Sequence, residues 1–188
     1  MHVKQLSAVA IATIALGAAL TMGSAQAASI TVDVNGIDSF SKYGSSNNVV
    51  LEEQLAPNAE VTAVSYDVDM TAFSPSLLSE MQLTFTDSGK TVGVILTPGY
   101  QTPSSGNATF VGTSDLVGEG ISFAVGSDGL LRLEFNESKN IRGLSPAGIW
   151  NSGTITFDVS AVPEPSTYAL MALGLAGLAA VTRRRKAG

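Results

Sequence analysis

No cysteine occurs anywhere in this 188-residue chain, and its only histidine is the second residue. The first absence excludes disulfides, thiolate nucleophiles and cysteine-based metal centres. The second removes the side chain that ordinarily titrates near neutral pH. Ser-His-Asp and Cys-His triads, histidine proton shuttles and the usual zinc and copper sites are excluded together. Phosphate-cradling motifs are missing too: there is neither a Gly-x-Gly-x-x-Gly turn nor a P-loop. The Gly-rich string Gly112–Gly126 lies among strand-like segments and reads as loop. Tryptophan appears once, at Trp150, and the formal net charge is −6.

What the chain does have is concentrated first at its ends. Met1-His2-Val3-Lys4-Gln5 is a short, weakly basic segment, and Leu6 to Met22 is a neutral apolar run broken by Gly17. Ala25-Gln26-Ala27 follows with the small-x-small pattern of a signal-peptide cleavage site. Residues 1–27 therefore read as a secretory signal, handled by the Sec export machinery, with the mature protein starting at Ala28. An uncleaved membrane helix is the alternative, but it lacks strong basic flanks.

The other end reads Val162-Pro163-Glu164-Pro165-Ser166-Thr167, then the uncharged stretch Tyr168 to Val181, then Arg183-Arg184-Arg185-Lys186. The two prolines fix φ, remove amide donors and push Val162 and Glu164 toward extended backbone, the form an active-site cleft reads most easily. The apolar stretch can lie in a bilayer as a helix, and the basic cluster suits its cytoplasmic face. Fourteen helical residues reach only about 21 Å against a hydrocarbon core of about 30 Å, and Gly174 and Gly177 loosen them further. A weak anchor fits a transient stop better than a permanent one, with a plain tail anchor as the alternative.

Motif, apolar stretch and basic cluster in that order resemble the PEP-CTERM sorting signal of exported proteins from Gram-negative bacteria that make extracellular polysaccharide. The resemblance implies that an exosortase, a membrane-embedded cysteine transpeptidase, recognises Pro163, Glu164 and Pro165 and removes the tail. Arg183, Arg184, Arg185 and Lys186 would be its basic membrane stop. It speaks for residues 162–188 and says nothing of what the body does.

Between the two ends, residues 28–161 form one domain, long enough for a core. The body carries five basic side chains against fifteen acidic ones, so bulk charge will not draw it to nucleic acid or to an anionic leaflet. Its periodicity is that of strands. Val64, Tyr66, Val68 and Met70 alternate with polar residues, as do Met81, Leu83 and Phe85, then Leu131, Leu133 and Phe135, then Ile155, Phe157 and Val159. Shorter candidates are Ile30–Val34, Val49–Leu55, Val92–Leu96, Ala108–Val111 and Ile121–Val125. Turn signals separate them, and Asp87-Ser88-Gly89-Lys90 predicts a tight hairpin. One helical turn is expected over Ser74–Glu80, with Ser74 as N-cap and Pro75 at the first helical position. About nine short strands with almost no helix predict an all-β fold, an antiparallel two-sheet sandwich or jelly roll. Ser79–Leu96 also resembles the strand–turn–strand hairpin of proprotein-convertase P domains, with Leu130–Phe135 and Trp150–Val159 fitting later strands loosely. That resemblance implies a binding or stabilising module.

Chemistry is sparse in the body. Asp67 and Asp69 share a strand face, and Glu134 or Asp158 could approach them as the carboxylate pair of a glycoside hydrolase. The same residues occupy the polar half of alternating strands, where such side chains are expected without any catalytic role. Ser41-Lys42 and Ser138-Lys139 have no further motif around them. Calcium is the one cofactor the sequence leaves open, at Asp33-Val34-Asn35-Gly36-Ile37-Asp38 or on the Asp67/Asp69 face; a plain Asx turn explains the loop equally. Trp150 could stack on a sugar, yet its place beside the last strand favours core packing. Asn107-Ala-Thr109 and Asn136-Glu-Ser138 fit the glycosylation pattern, which alone means little in bacteria.

These readings converge on an exported, non-catalytic surface or matrix protein with no metal ligands assigned. Its expected partners are an exosortase, transiently the inner membrane, and extracellular polysaccharide, with no nucleic acid. The alternative is a carboxylate-dependent hydrolase acting on that polysaccharide.

Overall fold

Each alternating segment becomes a strand, because period-two patterning lets one sheet face bury while the other stays polar. The computed structural model describes residues 27–140, 143–160 and 171–175. Ten strands run β1 (Ala27–Asp33), β2 (Ile37–Ser39), β3 (Val49–Gln54), β4 (Glu60–Ala72) and β5 (Met81–Asp87), then β6 (Gly93–Leu96), β7 (Gly106–Asp115), β8 (Phe123–Ala124), β9 (Leu130–Glu137) and β10 (Gly148–Ser160). One sheet has the order β1-β10-β4-β7, with β2 also on β10 and β8 on β4; the other has the order β3-β9-β5-β6. Every pairing between these strands is antiparallel. The chain crosses repeatedly between layers, so most neighbours in a sheet are distant in sequence.

The two layers close on one core. Phe85 meets the edge of Phe157 at 5.0 Å between ring centroids, and Phe135 meets the edge of Trp150 at 5.3 Å. All four rings are fully buried, along with Met70, Met81 and Leu131, and each such side chain stabilises the fold by about 1.5–3 kcal/mol. Trp150 is thus core, as its position beside the last strand suggested. Gly153 stands at φ +119, and a Cβ there would fall on the Asp67 carbonyl, so the bulge between Trp150 and Ser152 needs glycine next to it.

Three local expectations are corrected. The helical turn shrinks to a single 3-10 turn, Leu78–Glu80, and Ser74 does not cap it. Leu77 is extended, at φ −121 and ψ 147, and the amides of Leu78 and Ser79 donate to the carbonyls of Ser104 and Thr102. Strand β2 was not expected; it overlaps only Ile37 and Asp38 of the loop left open for a cation. The Gly-rich string is only partly loop, since its first residues continue β7, while Phe123–Ala124 form β8 within the strand candidate Ile121–Val125. The expected hairpin is present, with the Lys90 amide donating to the Asp87 carbonyl at 3.1 Å.

At the chain ends, Ala27 and Ser160 are the terminal pair of the β1–β10 ladder. A cut after Ala27 therefore falls at the first rung of the sheet. Ala25, Pro163, Glu164, Pro165, Arg183, Arg184, Arg185 and Lys186 lie outside the described residues. Residues 171–175 are helical, and no described helix is long and apolar enough to cross a membrane. The expected spanning helix is therefore not found among the described residues.

Candidate functional site

A half-open hollow lies between the loop after β6 and strands β4 and β7. It encloses about 430 Å³, and three of its seven lining residues are aromatic: Tyr66, Tyr100 and Phe110. Sequence dictates their placement. Tyr66 is an inward position of β4, and its phenol lies over Gly112 of β7, where any Cβ would overlap the ring. Phe110 lies two residues earlier on the same face of β7. Tyr100 is carried by a tight turn, with its own amide on the Thr97 carbonyl at 3.1 Å and the Thr102 amide on the Gly99 carbonyl at 2.7 Å. Gly99 packs so closely against Leu78 that a side chain there would meet backbone at 2.6 Å. The turn is held, and Tyr100 is left 76% exposed at the rim.

Polar groups complete the cleft: Thr97, Gln101 and Thr102. Aromatic faces beside amide and hydroxyl groups suit a ligand with apolar ring faces and equatorial hydroxyls, such as a pyranose. No aspartate or glutamate lines the cleft, so proton transfer has no donor or acceptor carboxylate there.

The carboxylates singled out from sequence are placed elsewhere. Asp69 is tied on the outer face of the first sheet: the Asn107 and Asn151 amides donate to Oδ1, each at 2.7 Å, and the Thr109 hydroxyl to Oδ2 at 3.2 Å. The Asn107 amide foremost, then that of Asn151, holds this carboxyl below its ordinary value. Asp67 is exposed two residues along the same strand. Asp158 lies four residues along β10 from Thr154, the partner of Asp67, a separation of roughly 13 Å. Glu134 belongs to the other sheet and does not approach them. It is fully buried under the Tyr43–Asn48 loop, bonded to Arg132 at 2.6 Å, the Asn48 amide at 2.7 Å and the Gly44 amide at 2.6 Å.

In the first loop, Asp33 Oδ1 accepts the Asn35 amide at 2.8 Å, an Asx turn, while Asp38 sits on β2 opposite Ile149. Among the described residues no three acidic side chains gather as a metal-binding group. Lys139 is paired with Glu80 at 2.7 Å, and the Ser41 carbonyl accepts the Glu137 amide. Asn136 is buried and accepts from Thr84 at 2.8 Å.

The aromatic cleft was not singled out from sequence. Its one linear signal is Pro98-Gly99-Tyr100, a turn dipeptide followed by a large aromatic residue with no alternating neighbours to bury it.

The tail is settled by comparison. Residues 161–186 match the PEP-CTERM protein-sorting motif. This chain carries a PEP-CTERM sorting motif directly after its last strand. It is an exported protein, sorted in the envelope and addressed to an exosortase. The match covers Pro163, Glu164 and Pro165 together with the basic cluster, and none of the β-body. No curated protein matches the chain.

Proposed function

We propose that this PEP-CTERM protein is a non-catalytic surface or matrix component whose β-body holds extracellular polysaccharide in the Tyr66–Tyr100–Phe110 cleft. The single observation that carries the reading is that cleft: aromatic faces beside hydroxyls and an amide, with no carboxylate in the lining. The address agrees with it, since sorting by exosortase delivers the body to a polysaccharide-rich surface. Export begins with cleavage after Ala27 by way of the Sec machinery. The apolar tail holds the protein at the inner membrane until the exosortase cuts near Pro163–Pro165, leaving the sandwich at the cell surface or in the biofilm matrix. Intact mass of the protein from the envelope or culture medium checks this route; a mass that keeps residues 168–188 would leave a tail anchor instead.

The hydrolase alternative needs two carboxylates facing one another across a reachable bond. Asp67 and Asp69 are the remaining pair, and a carboxyl held below its ordinary value, as at Asp69, is a poor general acid. One assay separates the readings: exopolysaccharide from the producing cells is incubated with the purified full-length protein, and both retention and new reducing ends are measured. Saturable retention without new ends is expected, weakened roughly tenfold by Tyr100→Ala with little change in the thermal midpoint. Reducing ends that disappear in Asp69→Asn would establish the hydrolase instead.

A further inference from the structure

An open sheet ends in strands whose outer backbone groups are unpaired, and such an edge takes up another strand unless charge, proline, a bulge or brevity blunts it. The two sheets here end in β1 and β7, and in β3 and β6. β3 carries Glu52 and Glu53, and β6 is only four residues long. β1 begins at the Ala27–Ser160 rung, where both ends of the chain leave the sheet. The remaining edge, β7, has none of these guards. It runs ten residues from Gly106 to Asp115 without proline, and from Asn107 to Ser114 without a charge. Its register on β4 is unbroken from Ala63–Asp115 to Ala72–Gly106, with no bulge to turn it aside.

The ladder fixes which groups β7 leaves open. In an antiparallel pair alternate residues bond the neighbour and the others point away from it. The Leu116 amide donates to the Thr62 carbonyl at 3.0 Å, and on the far side of β4 the Phe73 amide donates to the Ala147 carbonyl at 2.9 Å. Even-numbered residues of β4 therefore bond β7, and in the observed register their partners on β7 are even-numbered too. The amides and carbonyls of Asn107, Thr109, Val111 and Thr113 face the open side. Among the described residues no backbone group takes them. Val111 stands in the middle of this row, 74% exposed.

A second copy of the chain fits this edge. The body carries five basic side chains against fifteen acidic ones, so two copies repel over most of their surface. The neutral row from Asn107 to Ser114 is a place where they can meet without acid against acid, and it offers no charge by which a basic partner would be chosen. An antiparallel strand is also its own complement. About a two-fold axis at Val111, Thr109 faces Thr113 of the copy, Val111 faces itself, and every open amide meets an open carbonyl.

We propose that β7 pairs antiparallel with β7 of a second copy, Val111 opposite Val111, so that the two first sheets run on as one. Residues 107 to 115 then supply about ten main-chain hydrogen bonds over roughly 30 Å. The Val111 and threonine pairs add contact on the outer face. The interface is narrow, at the low end of specific ones, so the dimer is reversible and forms where the protein is crowded. It draws on backbone and the outward row, and stands whether or not the neighbouring cleft holds polysaccharide.

The chain has no cysteine, so a single introduced thiol reports a single position. In a hydrogen-bonded pair the two Val111 Cα atoms lie about 5.5 Å apart, within reach of a disulfide. Full-length Val111→Cys, purified in mild detergent and oxidised, should yield at least ten times more covalent dimer than Ile95→Cys, a position 58% exposed on the edge of the other sheet. Sedimentation of wild type at rising concentration should show monomer passing to dimer and no further. Val111→Pro removes an amide that bonds nothing in the monomer, and should weaken the dimer at least tenfold with little change in the thermal midpoint. Val111→Lys and Val111→Glu should each stay monomeric and dimerise when mixed, which keeps the test open should the proline variant misfold. A monomeric wild type, or equal cross-linking at Ile95, overturns the proposal. A dimer indifferent to every Val111 substitution does so too, and would place the contact in the apolar tail. Growth past the dimer into open chains would pair β7 with a different edge and equally defeat it.

Discussion

Glu134 and Glu137 are three residues apart on β9, both fully inside the protein, and the structure treats them in opposite ways. Glu134 points to the outer face of its sheet, where the Tyr43–Asn48 loop closes over it. Burial alone would raise its carboxyl, but the Asn48 amide, Arg132 and the Gly44 amide outweigh that and hold it below its ordinary value. Glu137 points inward to two hydroxyls that do not reach bonding geometry or reach it only loosely, and burial wins, pushing it to about 7. Burial depth is therefore a poor guide to charge in this fold. The count of donors within reach decides it.

The largest effect should come from breaking the served side. Glu134→Ala leaves Arg132, whose Nη1 already has no partner, buried without its one bonded partner, and should cost about 3–5 kcal/mol in chemical denaturation. A loss under about 1 kcal/mol would mean that the pair contributes little and that the contrast on β9 is only geometric.

Glu137→Gln should act in the other direction. Wild-type stability is highest around pH 4.5, falls as pH rises from the ordinary carboxylate value of 4.5 to the folded value of about 7, and levels off above it. The folded state binds the extra proton in that window, so raising the pH penalises it, by up to about 3 kcal/mol. The carboxyls held low, Asp69, Asp87 and Glu134, contribute in the opposite sense and lose their share only as pH falls below about 4. Thermal midpoints across pH 4–8 should show the decline in wild type and a flat line in Glu137→Gln. A parallel decline in both proteins would assign it to other groups.

Asn48→Ala is the smallest test. It removes the amide bond to Glu134 and the acceptor for the Ser41 amide, leaving Arg132 in place. The expected cost is about 1–3 kcal/mol, with the Glu134 carboxyl moving upward. Carbon-13 NMR titration of the glutamate side chains would show whether that value moves; if it stays put, Arg132 alone is sufficient.

Much of the sandwich was legible because each strand states its own faces. Val64 through Met70, or Leu131 through Phe135, announce an inner and an outer side with no help from the rest of the chain. Even Glu137 was marked, since it continues the inward row of Leu131, Leu133 and Phe135. Alternation could not say whether that position lay in the core or had already left it. Strand β2 was missed because three residues carry too little pattern and sit beside an aspartate, an asparagine and a glycine that announce a turn. Asp67 and Asp69 drew attention as a pair of acids on one face. Their fate was set by Asn107 and Asn151, donors arriving from β7 and β10, which no local window contains.

The sequence by itself determined the sorting address at the C-terminal end, the strand character of the body and the absence of histidine and cysteine from that body. These follow from local covalent facts: proline geometry, charge order, period-two alternation and composition. Tertiary structure alone decided which acids are buried and who serves them. It brought Ser76 to Glu137 across 61 positions and set Tyr66, Tyr100 and Phe110 around one hollow. The reason is the connectivity. In this two-sheet fold most neighbouring strands come from distant parts of the chain, so a site is assembled by pairing, and only its separate pieces are written in order.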